Sequence, residues 1–164
     1  MIILGIDPGI AIVGYGLIEA RGNAVKLLEY GCITTSSKSS LPNRLSFIMQ
    51  EMRGIIKEFK PNEMAIEELF FNKNVKTAIQ VAQARGVEIL AGVESALEVY
   101  EYTPLQIKQA IVGYGRAEKH QVQEMVKTML NLNEIPKPDD AADAIAVALC
   151  HSFGNKFKDL YKVK

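Results

Sequence analysis

The chain has 164 residues, 48% of them hydrophobic, which suffices for one domain with a sizeable core but not for two ordinary domains. Its 19 basic and 19 acidic residues cancel, so the total charge does not by itself indicate a nucleic-acid partner. The two cysteines form no disulfide framework or zinc-type motif, and no apolar stretch approaches the about 18 residues of a membrane span. We therefore expect a soluble cytoplasmic protein with one domain over residues 1–164 and a basic tail from about residue 154.

The first part of the chain predicts three successive β-strands. IILGID (2–7) is a continuous apolar run of the kind that buried central strands show. VGYGLIEA (13–20) and AVKLLEYGCIT (24–34) follow it, separated by DPG and RGN turn sequences. Because short turns join these strands, we expect them to pair in an antiparallel arrangement.

Helices and strands alternate in the rest of the chain. Apolar residues at three-to-four spacing from Leu41 to Phe59 predict an amphipathic helix that ends before Pro61. The patterns that follow predict strands near 63–70 and 97–104, and helices near 74–96, 105–113, 117–130 and 138–153. This order predicts an α/β fold: a mixed five-stranded sheet, its first three strands antiparallel, flanked by helices.

Acidic residues end two of the predicted strands. An unpaired buried carboxylate costs several kcal/mol, so Asp7 needs a capping turn, a basic partner or a metal ion. Glu67 and Glu68 end the second apolar strand, where side-chain alternation allows only one of them to share a face with a given neighbour. A solvated strand end is the alternative interpretation of this pair.

The last predicted helix carries acids on one face. Asp140 and Asp143 are three residues apart and therefore lie on the same face of the helix. Asp139 or Asp140 can cap the start of the helix. Capping does not explain Asp143, which lies one turn inside the helix between two alanines. If this helix crosses the carboxyl edge of the sheet, these acids, Asp7 and Glu67 converge and repel one another. Carboxylate oxygens suit Mg²⁺ or Mn²⁺, and two such ions about 3.5 to 4 Å apart form the site of many nucleases.

A set of short motifs occurs in a fixed order along the chain: GIDPG, GYG, AIEELFFNKN, AQARGV, IKQAIVGYGRAEKHQV and DDAADAIAVALCH. In this order, and over nearly the whole chain up to about His151, the sequence resembles the RuvC family of Holliday-junction resolvases. The resemblance implies a ribonuclease H-like fold, a homodimer, and paired symmetric incisions in four-way junction DNA during recombination and repair. It also implies two Mg²⁺ ions per active site, replaceable by Mn²⁺, and contacts with the branch-migration proteins RuvA and RuvB.

The resemblance also assigns roles to individual residues. Asp7 would bridge both metal ions, and Glu67 would hold the ion on the leaving-group side. Asp140 and Asp143 would hold the ion that activates water, although some family members have His at the position of Asp140, and Asp139 stands next to it. The predicted catalytic and metal-binding residues are therefore Asp7, Glu67, Asp140 and Asp143.

DNA-binding residues follow from the same comparison. Lys108 and Lys119 would contact phosphates near the scissile bond. Phe70 would act as an aromatic wedge against bases at the centre of the junction, with Phe71 beside it as the alternative. Basic residues that flank this wedge in the sequence complete the predicted DNA-binding set: Lys73, Lys76 and Arg85.

Other functions remain open at this point. Another ribonuclease H-like nuclease would carry the same acids and differ only in its nucleic-acid substrate. An actin-like or sugar-kinase ATPase also opens with an apolar strand, an acid and a glycine turn, and an inert junction-binding protein needs no catalysis. For a dimer, we expect the helix near 74–93 to form the contact through Val75, Ala78, Ile79, Ala82 and Val93.

Overall fold

The structure is a computed structural model that describes residues 1–22, 24–69, 75–154 and 158–163, without the side chains of residues 75, 76 and 158. Its elements follow the predicted order, strands first and then alternating helices and strands. Their bounds are β1 Ile2–Asp7, β2 Ile12–Arg21, β3 Ala24–Thr34, α1 Leu41–Phe59, β4 Glu63–Glu67, α2 Val75–Glu94, β5 Glu98–Tyr102, α3 Pro104–Val112, α4 Lys119–Met129, α5 Asp139–Phe153 and a 3-10 helix Lys158–Tyr161.

The strands form one five-stranded sheet in the order β3-β2-β1-β4-β5. β1 pairs antiparallel with β2, and β2 with β3, whereas β4 runs parallel to both β1 and β5. The predicted mixed sheet with an antiparallel start is confirmed. Because β1, β4 and β5 run in the same direction, their carboxyl ends lie at one edge of the sheet, with Ile6 opposite Ile66 and Glu67 opposite Tyr102.

Two hydrophobic clusters occupy the two faces of the sheet. Alternate residues of β1 divide between them: Ile3 belongs to the cluster of α3, α4 and α5, and Leu4 and Ile6 belong to the cluster of α1 and α2. Both faces are therefore buried, which explains why β1 is apolar along its length rather than alternating with polar residues. None of the helices within the described ranges is long and apolar enough to cross a membrane.

Helix α5 packs unusually close to the sheet because glycines face it. A Cβ atom on Gly5 would lie 2.1 Å from the carbonyl oxygen of Ala144, and one on Gly14 would lie 2.0 Å from the carbonyl oxygen of Asp140. Any side chain at either position would push the helix away. Gly14 also pairs with Asp7 across β2 and β1, so this contact brings the first turn of α5 to the end of β1.

The described part of the C-terminal segment lies against the edge strand β5. Tyr161 packs on Tyr102 with ring centroids 4.9 Å apart, and the backbone N–H of Val163 donates to the carbonyl oxygen of Val99 at 2.9 Å. Lys162 pairs with Glu98 at the same edge. At least this lysine of the predicted basic tail is therefore neutralised within the molecule.

Candidate active site

Strand geometry places two of the predicted acids side by side. Asp7 is the last residue of β1 and Glu67 the last of β4, and these strands are parallel neighbours whose preceding residues, Ile6 and Ile66, are paired. Glu67 lines a cleft, whereas Glu68 is exposed. Strand alternation therefore separates the two glutamates, as the sequence predicted, and directs Glu67 toward α5.

Asp140 and Asp143 approach from above the sheet on α5. The close contact of Asp140 with Gly14 fixes the start of the helix over the end of β1. Asp143, one turn later, points into a cleft of about 280 Å³ together with Glu67. The remaining walls of the cleft come from α3, α4 and α5, through Pro104, Ile107, Lys108, Lys119, Val122 and Ala146.

The acids are close enough to perturb one another strongly. Burial is the largest cause that raises the pKa of Asp7 to about 8, and repulsion from Glu67 is the next. Asp143 and Asp140 add further repulsion at Asp7. Burial and then Asp143 raise the pKa of Glu67 to about 7, against the opposing effect of Lys108. Neighbouring carboxyl groups with raised pKa values beside a cleft are typical of a functional site.

Lys119 stands within this acidic group. Its ammonium nitrogen lies 2.8 Å from Oδ2 of Asp143 and 3.6 Å from Oδ2 of the exposed Asp139. A capping box between Glu118 and Gln121 starts α4 and thereby places Lys119 at the first helical position, facing α5. The hydrogen bond and charge of Lys119 lower the pKa of Asp143, but burial is the larger effect and the net pKa is raised.

The donor set fits a hard divalent cation. Within the described ranges, no three His, Cys, Asp or Glu side chains are already grouped tightly enough to hold a metal ion together. The charges of Glu67, Asp140 and Asp143 nevertheless act on Asp7, and a cation among these carboxylates would relieve the repulsion that, after burial, raises the pKa values of Asp7 and Glu67. Oxygen ligands of this type favour Mg²⁺ or Mn²⁺ over zinc.

The predicted DNA-binding residues have different surroundings. Lys108 and Lys119 line the cleft. Arg85 is mostly buried on α2 and pairs with Glu101 at 2.8 Å, so its guanidinium already has an internal partner. Its role in DNA binding stays a prediction, as do those of the other proposed contacts: Phe70, its neighbour Phe71 and Lys73, which lie outside the described residues, and Lys76, whose side chain does.

Two residues of α2 lie behind the acids: Arg85, which the sequence predicted only as a DNA contact, and Glu88, which it did not single out. Arg85 Nε donates to the carbonyl oxygen of Glu67 at 3.2 Å, in addition to its pair with Glu101. Glu88, one turn later on α2, is fully buried. Burial raises its pKa well above the usual value, the backbone N–H of Gly9 lowers it, and the charge of Asp7 raises it. The signal in the sequence was an acid between Val87 and Ile89 in an apolar helix.

Comparisons with known proteins agree with this geometry. The family model described as "Crossover junction endodeoxyribonuclease RuvC" matches residues 3–151. The chain belongs to the RuvC family. A relative of that name from Finegoldia magna is 71% identical over 164 residues, covering 100% of both chains, and one from Alkaliphilus oremlandii is 57% identical with the same coverage.

Solved structures place the fold in the same family. A Thermus thermophilus RuvC bound to a Holliday junction substrate matches with a TM-score of 0.90 and 32% identity, over 99% of this chain and 100% of that one. The yeast mitochondrial Holliday junction resolvase Ydc2 has a TM-score of 0.70 over 96% of this chain and 82% of its own. At 11% identity this second likeness concerns the fold alone. The expected ribonuclease H-like architecture is confirmed, and the RuvC match decides against the actin-like ATPase.

Proposed function

We propose that this protein is a Mg²⁺-dependent endonuclease that resolves four-way Holliday junctions by paired symmetric incisions, in recombination and repair. The observation that carries the proposal is the placement of Asp7 and Glu67 at the ends of neighbouring parallel strands, with Asp140 and Asp143 on the helix packed over them. Membership of the RuvC family supports the choice of substrate, since the Thermus thermophilus relative was solved with a Holliday junction.

The four acids would together coordinate two metal ions. Asp7 would bridge both ions, Glu67 would hold the one on the leaving-group side, and Asp140 with Asp143 would hold the other. When bound, two such ions activate the attacking water and stabilise the leaving oxygen of a phosphodiester, and Mn²⁺ can supply the same chemistry. The protein contributes a rigid frame, because β1, β4 and α5 meet at this point.

Two lysines would receive the negatively charged substrate. Lys108 and Lys119 stand on α3 and α4 at the walls of the cleft, where both lower the pKa of Glu67. Their ammonium groups would contact phosphate oxygens next to the cut bond, and these contacts position the strand without reading its sequence. Lys119 would exchange its contact with Asp143 for one with the phosphate once cations occupy the acidic group.

Resolution of a two-fold symmetric junction requires one cut in each of two strands, and a C2 homodimer supplies two active sites in matching symmetry. We place the dimer contact on α2, where Ile79, Leu90 and Val93 are 55%, 47% and 56% exposed. Ala82 is exposed on the same helix. Ala78, predicted to join this surface, is 9% exposed and belongs to the core instead.

The experiment that tests the proposal is cleavage of a synthetic four-way DNA junction. Wild type in Mg²⁺ should give paired symmetric nicks on the junction and leave linear duplex and an RNA–DNA hybrid intact. Asp7→Asn should bind the junction in a gel shift without cutting it. Cleavage of the hybrid or of linear duplex instead would support the metal site but would indicate a different ribonuclease H-like nuclease.

RuvA and RuvB are the expected partners. When added, they should change the cleavage rate on the junction only.

A further inference from the structure

Glu88 is a buried carboxyl group that the proposed reaction does not use. The residue is 0% exposed, and neither carboxylate oxygen has a hydrogen-bond partner among the described residues. Buried polar groups in native proteins are nearly always paired, and an unpaired one is costly to keep. A leucine of similar size would fill the same space on α2 without that cost, so the carboxyl group requires a reason.

The surroundings of Glu88 connect it to the proposed metal site. Its carboxyl group is held behind the turn that follows β1, where it interacts with the backbone N–H of Gly9 without forming a hydrogen bond of normal geometry. The turn is tight, because a Cβ atom on Gly9 would lie 1.9 Å from the carbonyl oxygen of Ile12. Asp7 stands two residues before Gly9, so a shift of this turn moves its carboxylate.

Arg85 makes the corresponding contact with the neighbouring strand end. One helical turn before Glu88, its Nε donates to the backbone carbonyl of Glu67 at 3.2 Å, while its terminal nitrogen is anchored on Glu101 at 2.8 Å. Helix α2 therefore reaches the ends of both strands that carry the strand-end acids, from the face of the sheet opposite α5.

We propose that Glu88 is a positioning residue: with Arg85, it holds the carboxylates of Asp7 and Glu67 at the separation that two metal ions require. The inference rests on the proposed function, since it takes these two acids to be metal ligands. Metal sites need ligands held to within about 0.5 Å, and loss of the groups behind the ligands typically weakens metal affinity by about 10- to 100-fold. A polar group facing the Gly9 N–H restrains the turn in a way that an apolar side chain cannot.

Three variants of the whole chain separate positioning from packing. Glu88→Leu removes the acceptor and retains bulk, Glu88→Gln retains an acceptor oxygen at the same reach, and Glu88→Asp withdraws the carboxyl group by one methylene. Glu58→Leu, the same substitution at an exposed position on α1, is the matched control. The readouts are the melting temperature in EDTA, the Mg²⁺ concentration that gives half of the maximal rise in melting temperature, junction affinity in EDTA, and single-turnover cleavage.

We expect Glu88→Leu to melt in EDTA at or above the wild-type temperature, because the unpaired carboxyl group is gone. The half-saturating Mg²⁺ concentration should rise about tenfold or more and single-turnover cleavage should slow, while junction affinity stays unchanged. The half-saturating Mg²⁺ concentration of Glu88→Gln should stay within about threefold of the wild-type value. That of Glu58→Leu should equal the wild-type value. Glu88→Asp should behave as Glu88→Leu does, and it decides the question if the leucine variant fails to fold.

Wild-type Mg²⁺ dependence in Glu88→Leu, or in Glu88→Asp should the leucine variant not fold, would overturn the inference. Equal losses in Glu88→Leu and Glu88→Gln that follow the melting temperature alone would overturn it too, because they indicate packing. Failure of the proposed function has a different signature. A wild-type protein that is stabilised by Mg²⁺ but does not cut the junction would reject the substrate and leave the positioning role in place.

Discussion

The ammonium group of Lys119 lies 2.8 Å from Oδ2 of Asp143, so a cation of the protein's own occupies the acidic cleft. This lysine lowers the pKa values of Asp7, Glu67 and Asp143, and thereby keeps part of the cluster ionised before any metal binds. The same ammonium group is within reach of a phosphate that enters the cleft. Lys119 would therefore contact Asp143 first and the substrate phosphate afterwards.

Replacement of Lys119 by methionine should therefore reduce single-turnover cleavage of a four-way junction by about 100-fold or more, the usual effect of losing one charged contact to a reacting group. Junction binding in EDTA should persist, because most of the affinity comes from other phosphate contacts. Lys127→Met on the same helix is the control, since Lys127 pairs only loosely with the exposed Glu124, at 3.9 Å. A Lys119→Met protein that cuts at the wild-type rate would contradict the assignment.

The metal-free protein should lose stability as the pH rises. Asp7 and Glu67 have folded-state pKa values of about 8 and about 7, above their usual values of 3.8 and 4.5. The folded state therefore retains protons that the unfolded chain has released, and this stabilisation is complete below the ordinary carboxyl pKa and lost as the pH passes through about 7 and 8. The free energy of unfolding in EDTA should fall by on the order of a few kcal/mol between about pH 5 and 8.5, and the melting temperature should fall with it.

Mg²⁺ should reverse this loss at high pH, since binding to the folded state alone stabilises it. Asp7→Asn is the matched variant: it removes the buried charge, so its metal-free melting temperature at pH 8 should exceed that of wild type and respond little to Mg²⁺. If the melting temperature in EDTA depends on pH in the same way in both proteins, the charge of Asp7 is not the cause of the loss of stability at high pH.

Asp139 and Asp140 should differ sharply despite being neighbours. Asp140 contributes to the raised pKa of Asp7, whereas the side chain of Asp139 is 63% exposed and contacts Lys119 at 3.6 Å. We expect Asp140→Asn to abolish cleavage in Mg²⁺ and Asp139→Asn to reduce it by less than about tenfold, the scale of an exposed ion pair. Equal activity of the two variants would mean that Asp139 shares the role of Asp140.

The sequence was informative where chemistry depends on local pattern. An apolar run that ends in an acid singled out Asp7, and helical spacing placed Asp140 and Asp143 on one face, whereas the choice of Glu67 over Glu68 came from the family resemblance. Their convergence was predicted only on the condition that the last helix crosses the sheet edge. The condition is met through Gly5 and Gly14, but a glycine in a strand indicates a close neighbour without saying which element it is.

Contacts between distant parts of the chain could not be predicted. Arg85 was predicted as a DNA contact because it flanks the wedge segment, and that role stays a prediction, but its pairing with Glu101, on a strand 16 residues away, was not anticipated. His151 lies in the last turn of α5, where it is fully buried, and its Nε2 lies 2.7 Å from Oε2 of Glu63, 88 residues earlier. Both partnerships depend on the order of strands in the sheet, which no local pattern records.

The buried group around His151 should matter for stability and not for cleavage. Nε2 of His151 lies 2.7 Å from Oε2 of Glu63, and Nδ1 lies 2.7 Å from the hydroxyl of Tyr102. His151→Leu removes these contacts from two buried groups, and a buried polar group that loses a hydrogen-bond partner typically costs about 1 to 3 kcal/mol. Chemical denaturation measures the change.

The double variant Glu63→Met/His151→Leu should recover much of that loss, because it also removes the carboxyl group that loses its contact with His151. Below their melting temperatures, both variants should cut a junction at close to the wild-type rate. A double variant less stable than His151→Leu would mean that Glu63 is stabilised mainly by other contacts.

The proposed dimer contact on the exposed apolar face of α2 can be tested directly by substitution. Leu90 is 47% exposed and Ile79 55%, and a carboxylate at either position would have to be desolvated in an interface. If the proposed dimer forms through this face, wild type should sediment as a dimer at micromolar concentration and Leu90→Glu as a monomer. The melting temperature of Leu90→Glu should fall by no more than loss of the partner explains. Leu160→Glu is the control, because Leu160 is 74% exposed and belongs to the 3-10 helix Lys158–Tyr161 rather than to α2.

On a four-way junction, the Leu90→Glu monomer should nick single strands without pairing the cuts, since each site then acts alone. The ratio of paired to single nicks, read from a junction labelled on two strands, measures that coupling. A variant that sediments as a dimer, or a monomer that still gives paired nicks, would place the self-association surface elsewhere.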